Sequence, residues 1–229
     1  MGLDWLAGNK AKPGHERRFR ELLERIVAGQ DIDASEIAEW KEIGVPSFTV
    51  VGAPRVGIDE PATAWFLERL RGNNPRPGLL KGLFAKLRGP SGPTQEEIAA
   101  IETSRGYYVL DLAPPSDGLP RYSHGGLNDQ LDGTSFRGAF LQDCQEIIGT
   151  ELFESAYERK LPEDLVAYGS ALMERANAWA TVHGCEEARD QTAPPEDDKS
   201  PAARAHIAFA AARWCLFWGQ RGHWLDTWF

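Results

Sequence analysis

The fold prediction starts from residues 106–149, GYYVLDLAPPSDGLPRYSHGGLNDQLDGTSFRGAFLQDCQEIIG. The aromatic and β-branched residues of Tyr107–Leu112 predict a strand. Ser135, followed by apolar residues at helical spacing, predicts a helix that begins at Ser135 and ends near Gly149. The intervening loop, Ala113–Thr134, is rich in turn-forming residues. Ordered loops of this length in compact domains usually take part in ligand binding or catalysis, so we expect a functional site here.

Polar side chains on this loop and its two flanks are of the types needed for acid–base chemistry or for holding an anion. We therefore predict a site for a small polar or anionic molecule, without assigning a reaction, a cofactor or enzymatic activity. The alternative is loop architecture, because Asp caps turns and Arg can pin an acidic loop through ion pairs. The candidate ligand-binding residues are Asp111, Asp117, Arg121, Tyr122, His124, Asp132 and Arg137.

The charge of the chain favours some partners over others. Its 229 residues carry a formal net charge of −9 and a pI near 5.1, which argues against nucleic acid as the main ligand. An acidic surface permits a basic protein partner. A second hypothesis is therefore an acidic interaction or scaffold protein with no catalytic activity.

Several sequence features indicate a soluble bacterial protein of the cytoplasm. The three Cys residues lie far apart and form no disulfide or CxxC pattern, and we predict that Cys144 and Cys215 are buried thiols. The first residues lack the apolar stretch of a signal peptide, and no run approaches the length of a membrane span. Arg is preferred over Lys and Ala is frequent, which is typical of bacterial genomes rich in G and C.

Apolar periodicity predicts a mainly α fold: a compact orthogonal helical domain with a small two-stranded β element. The two strands are expected at Ser47–Val51 and Tyr107–Leu112, paired with each other. We predict one domain over residues 1–229, with flexible loops at 72–93 and 185–201. Helix ends are expected at two capping boxes, listed here by their residue pairs: Asp33 with Glu36, and Thr94 with Glu97.

The longest predicted helix runs over Pro162–His183, and the last one over about Ala202–Gln220. The C-terminal region holds too many aromatic residues for a free tail, so they either pack on the core or contact another subunit. The second possibility predicts a homodimer through Trp214, Trp218, Trp224 and Trp228.

No His spacing matches a zinc-binding motif, and no nucleophile elbow is present. The segment GYYVLDLAPPSDGLPRYS (106–123), together with GLDWLAGNK (2–10), resembles conserved bacterial proteins of unknown function. The resemblance extends over most of the chain. It implies no activity, cofactor or site residue.

Overall fold

The computed structural model describes residues 2–47, 52–73, 92–109, 112, 135–191, 195 and 199–229. The described chain is mainly helical, as predicted. The α-helices are α1 (Glu16–Val27), α2 (Ala34–Ile43), α3 (Glu60–Asn73), α4 (Gln95–Thr103), α5 (Gln145–Ser155), α6 (Pro162–His183) and α7 (Pro201–Gln220). The strands are β1 (Asp4–Ala7), β2 (Lys10–Ala11), β3 (Gly44–Val45), β4 (Ser135–Phe136) and β5 (Leu225–Trp228).

The described residues form two units. The first contains residues 2–47, 52, 135–191, 195 and 199–229; the second contains residues 53–73, 92–109 and 112. The predicted single domain over 1–229 stays a prediction. Residues 74–91 of the predicted flexible loop 72–93 lie outside the described residues.

Helices α6 and α7 form the centre of the first unit. They approach closely at Gly169, where an added Cβ would lie 2.7 Å from the Cβ of Cys215 and 3.1 Å from the carbonyl oxygen of Ala212. Fourteen of the twenty residues of α7 are buried, including Phe209, as expected of a helix at the middle of a core.

A three-stranded antiparallel sheet in the order β4–β1–β5 packs on this helical core. Trp5 of β1 is fully buried, and its indole N–H donates to the carbonyl of Ala156 at 2.8 Å. Its ring contacts those of Phe136, Tyr168 and Trp214 at centroid distances of 5.3–5.9 Å. The sheet thus brings the start and the end of the described chain together.

A two-stranded sheet also exists, but its position differs from the prediction. Lys10 of β2 pairs with Val45 of β3, and the chain between these strands forms the α1–α2 hairpin. Each strand has two residues, too few to give a strand pattern in the sequence; the antiparallel helices bring them together. Residues 48–51, 110 and 111 lie outside the described residues, so the predicted pairing stays a prediction; Tyr108 forms an antiparallel bridge with Arg55.

The predicted helix start at Ser135 is wrong. Ser135–Phe136 form β4, residues 138–144 form a 3₁₀ helix, and α5 begins only at Gln145. The reason is tertiary: β4 pairs with β1, and the N–H of Ala139 donates to the carbonyl of Leu3 at 2.9 Å. Gly149 interrupts the helical backbone with φ = 80°, as expected for a glycine at a helix end.

The predicted N-terminal ends of α2 and α4 and both predicted ends of α6 are confirmed. Asp33 and Thr94 are the N-caps of α2 and α4, and each forms the complete capping box. Helix α6 has the predicted limits and ends at Gly184 in the left-handed region. Short-range hydrogen bonding therefore sets these ends.

The second unit consists of α3, α4 and the bridge between Arg55 and Tyr108. Its core contains Val56, Ala62, Phe66 and Val109. Asp59 accepts a hydrogen bond from the N–H of Arg55 at 2.7 Å, just before α3 begins. A carboxylate thus lies next to the start of this helix.

Part of the predicted flexible segment 185–201 is packed. Glu186–Arg189 form a 3₁₀ helix, and Cys185 and Ala188 are buried. Arg189 donates to the side-chain oxygen of Asn177 at 2.6 Å. Flexibility of the remainder stays a prediction.

Candidate functional site

Six of the seven predicted ligand-binding residues lie outside the part of the chain that the structure describes: Asp111, Asp117, Arg121, Tyr122, His124 and Asp132. Arg137 is described. It is exposed and lies between β4 and the 3₁₀ helix that follows. The small-molecule site of residues 106–137 therefore stays a prediction.

The described cysteines are free and buried, as expected for core thiols. Burial raises the pKa of Cys144 to about 12 and also raises that of Cys215. Both thiols are therefore protonated at neutral pH, and protonated thiols are poor nucleophiles. Across the described residues, no three His, Cys, Asp or Glu side chains converge to hold a metal ion.

Lys160 is a buried charged residue that the sequence reasoning missed, since a single Lys gives no sequence signal. Its ammonium donates to the carbonyl and hydroxyl oxygens of Ser155 at 2.5 and 2.9 Å, and lies 3.4 Å from the carbonyl of Glu158. It also lies 4.7 Å from the ring centroid of Tyr168. Burial lowers its pKa. Because all three protons have acceptors, Lys160 anchors the turn after α5.

The backbone of Lys160 pairs with the outer edge of the three-stranded sheet. Lys160 and Leu225 exchange both backbone hydrogen bonds, at 3.2 and 2.9 Å. On the other side of β5, the N–H of Gly8 donates to the carbonyl of Trp224 at 2.8 Å. Successive strand residues direct their backbone groups to opposite sides, so Thr227 faces the same outer edge as Leu225.

An open groove of about 500 Å³ lies beside this edge. The N–H and C=O of Thr227 have no backbone partner there among the described residues. Its hydroxyl donates to the carbonyl of Tyr157 at 3.2 Å. The groove is lined by Val27, Tyr157, Glu158, Arg159, Thr227 and Phe229, and we call it the β5 groove.

Exposed aromatic rings form one wall of the β5 groove. Tyr157 and Phe229 are 42% and 71% exposed, and their ring centroids lie 6.0 Å apart. Phe153 continues this wall with a perpendicular contact to Tyr157 at 5.8 Å. Large exposed aromatic residues next to an open sheet edge are typical of binding surfaces.

Arg159 and Glu158 are the charged residues that line the groove. Arg159 donates to a carboxylate oxygen of Asp226 at 2.9 Å and to the carbonyl of Ile26 at 3.3 Å. The carboxylate of Glu158 is 71% exposed on its side chain and lies 3.6 Å from the Lys160 ammonium. These contacts hold the polar side chains in place, and they provide no acid–base pair beside a nucleophile.

The predicted dimer residues separate into two groups. Trp214, Trp218 and Trp224 are buried within the chain, so they cannot meet a second subunit, and this part of the prediction is wrong. Trp228 is 62% exposed. The indole N–H of Trp228 donates to Asp226 at 3.2 Å. Thr227 and Trp228 are residue types that are enriched in strands, and they were the available signal for a strand here.

Comparisons with family models, curated proteins and solved structures give no match to this chain. The resemblance to conserved bacterial proteins stays a prediction. Among the described helices, none is long and apolar enough to cross a bilayer.

Proposed function

We propose that this protein is an interaction protein that binds an extended peptide segment of a partner along the outer edge of β5. The observation that carries the proposal is the pairing of Lys160 with Leu225, which leaves the next outward-facing residue, Thr227, open beside the β5 groove. A peptide strand placed there forms backbone hydrogen bonds with Thr227. This mode of recognition is strand addition.

The groove gives such a peptide a place for side chains as well as backbone. In an added strand, alternate side chains point to the same face. One such side chain packs against Tyr157 and Phe229, which are already exposed and in contact with each other. Backbone pairing supplies affinity, and the aromatic wall favours an apolar residue in the central position.

This proposal develops the acidic interaction protein that the sequence suggested as an alternative. Catalysis is not part of it, because the two charged residues that line the groove, Glu158 and Arg159, are both engaged in intramolecular ion pairs. The predicted homodimer remains a separate proposal that depends on Trp228. Trp228→Ser should slow sedimentation of the protein if a dimer forms through this residue.

Thr227→Pro tests the proposal. Proline removes the outward N–H but keeps the β1–β5 pairs, since Asp226 and Trp228 face β1, and proline is accepted at the solvent side of edge strands. Thr227→Val is the matched control, because it keeps the N–H and loses only the hydroxyl contact with Tyr157.

Binding is measured by fluorescence anisotropy with labelled hexapeptides in which Val alternates with Lys or with Gln. We expect Thr227→Pro to weaken binding about tenfold, the effect of losing one backbone hydrogen bond and its alignment, while Thr227→Val binds as the wild type. Equal binding by wild type and Thr227→Pro, with both proteins folded by circular dichroism, would disprove strand addition.

A further inference from the structure

We infer that the peptide bound at the β5 groove is basic, with Lys or Arg on either side of an apolar residue. This inference rests on the proposed function and specifies the chemistry of the partner. It follows from the distribution of charge on the chain that leads into the groove.

The segment 138–158 contains five acidic residues and no Lys or Arg. It forms the 3₁₀ helix, α5 and the turn that ends in the groove. Within it, Glu151, Glu154 and Glu158 are exposed and spaced by three and four residues. Glu151 and Glu154 are three residues apart within α5, which places their side chains on the same side of the helix, and Glu158 follows in the turn after α5 and lines the groove. We call Glu151, Glu154 and Glu158 the acidic row.

Aromatic and acidic residues are neighbours in this part of the chain, since Phe153 precedes Glu154 and Tyr157 precedes Glu158. Phe153 and Tyr157 are four residues apart and in contact, and Tyr157 contacts Phe229. A peptide lying against these rings therefore has carboxylates nearby. Basic residues next to its central apolar residue would face those carboxylates.

The acidic row is short of cations within the chain. No described residue forms an ion pair with Glu151 or Glu154, and Glu158 lies 3.6 Å from the Lys160 ammonium. Arg159, the other cation of the groove, is paired with Asp226. A basic peptide is complementary to this arrangement, and an acidic one is opposed by it.

A second copy of this chain fits the groove less well. Each copy carries a net charge of −9, and pairing two β5 edges would bring two acidic rows together. Like charges placed opposite each other disfavour association. The structure therefore supports a basic partner over self-association at this edge.

The test compares three capped hexapeptides in which Val alternates with Lys, with Gln or with Glu. Anisotropy is measured at about 0.05 M and about 0.5 M salt, since added salt screens exposed charges. We expect the Lys peptide to bind about tenfold more tightly than the Gln peptide at low salt, the Glu peptide to bind most weakly, and high salt to reduce these differences.

Charge-neutralising variants identify the carboxylates that give the preference for the Lys peptide. Glu151→Gln with Glu154→Gln should remove most of the preference for the Lys peptide and leave binding of the Gln peptide unchanged. The control double variant, Glu174→Gln with Glu187→Gln, changes the net charge equally at exposed positions outside α5 and the groove, and should keep the preference.

Each outcome is decisive. Equal binding of the Lys and Gln peptides, both weakened by Thr227→Pro, would overturn the basic partner and keep strand addition. Failure of all three peptides to bind at about 1 mM would overturn both proposals. Sedimentation showing a dimer that Thr227→Pro dissociates would assign the edge to a second copy and overturn the basic partner.

Discussion

Lys160 and Leu225 exchange both of their backbone hydrogen bonds, and this single pair covers the outer edge of β5 at one residue only. The side chain of Lys160 turns inward and fastens the end of α5 through Ser155. One residue thus holds the helix that carries the aromatic wall against the strand that carries the open edge. The geometry of the β5 groove depends on it.

Replacing Lys160 tests this role. Lys160→Met keeps an unbranched apolar chain but loses the donors to Ser155 and Glu158, leaving partly buried acceptors without these partners. We expect it to lower the free energy of unfolding by about 2 kcal/mol. Urea denaturation measures this effect, and Lys41→Met, at an exposed position, should change it by less than about 0.5 kcal/mol. Equal stability of the two variants would show that the anchor is dispensable.

His223 should make stability depend on pH. Its ring is fully buried, and its Nδ1–H donates to the carbonyl of Gly8 at 2.7 Å, because a carbonyl can only accept. Burial lowers the pKa of His223 from 6.5 to about 4. The unfolded chain therefore binds a proton more readily than the folded chain between these values. Its contribution to stability is complete above about pH 6.5 and is lost as the pH falls to about 4.

The full loss corresponds to about 3 kcal/mol. The side-chain amide of His223→Asn can still donate to Gly8 but does not titrate. We expect this variant to lose less stability than the wild type between pH 7.5 and pH 4.5, as measured by urea denaturation. Titration of the carboxylates is common to both proteins and does not account for such a difference. His183→Gln, at an exposed His, should behave as the wild type. Parallel pH profiles for wild type and His223→Asn would contradict the assignment.

Gly169 should be required for the contact between α6 and α7. Alanine is normally favoured over glycine inside a helix by about 1 kcal/mol. Here the new methyl would meet Cys215 at 2.7 Å, so Gly169→Ala should instead destabilise the protein by about 1–3 kcal/mol. Thermal unfolding checks the sign, with the exposed neighbour Ser170→Ala as the control. A higher melting temperature for Gly169→Ala would mean that the two helices can separate without cost.

The predicted small-molecule site over residues 106–137 has its own test. A thermal-shift screen of metal ions, nucleotides and metabolites compares the wild type with His124→Ala combined with Arg121→Ala. A ligand of the predicted site should raise the melting temperature of the wild type alone, because binding to the folded state stabilises it. Equal melting of both proteins with every compound would leave the loop an architectural element.

The sequence by itself determined the features that rest on short-range interactions. The capping boxes at Asp33 and Thr94 were readable because the side chain and the N–H that it caps lie within three residues. The limits of α6 followed from Pro162 and Gly184 for the same reason. Buried Cys144 and Cys215 followed from their place among apolar residues at helical spacing.

Only the tertiary structure decided which distant segments pair. Ser135 looks like a helix cap, but pairing with β1 draws it into a strand, because backbone hydrogen bonds to Trp5 and Leu6 replace the local ones. Trp224 and Trp228 are chemically alike in the sequence, yet Trp224 is buried in a cluster with Phe19, Leu22, Leu23 and Ile43, and Trp228, the last residue of β5, is exposed. The edge at Thr227 is open because the pairing of the outer edge of β5 with Lys160 ends at Leu225. Lys160 and Leu225 are far apart in the chain, so no local sequence pattern encodes their pairing.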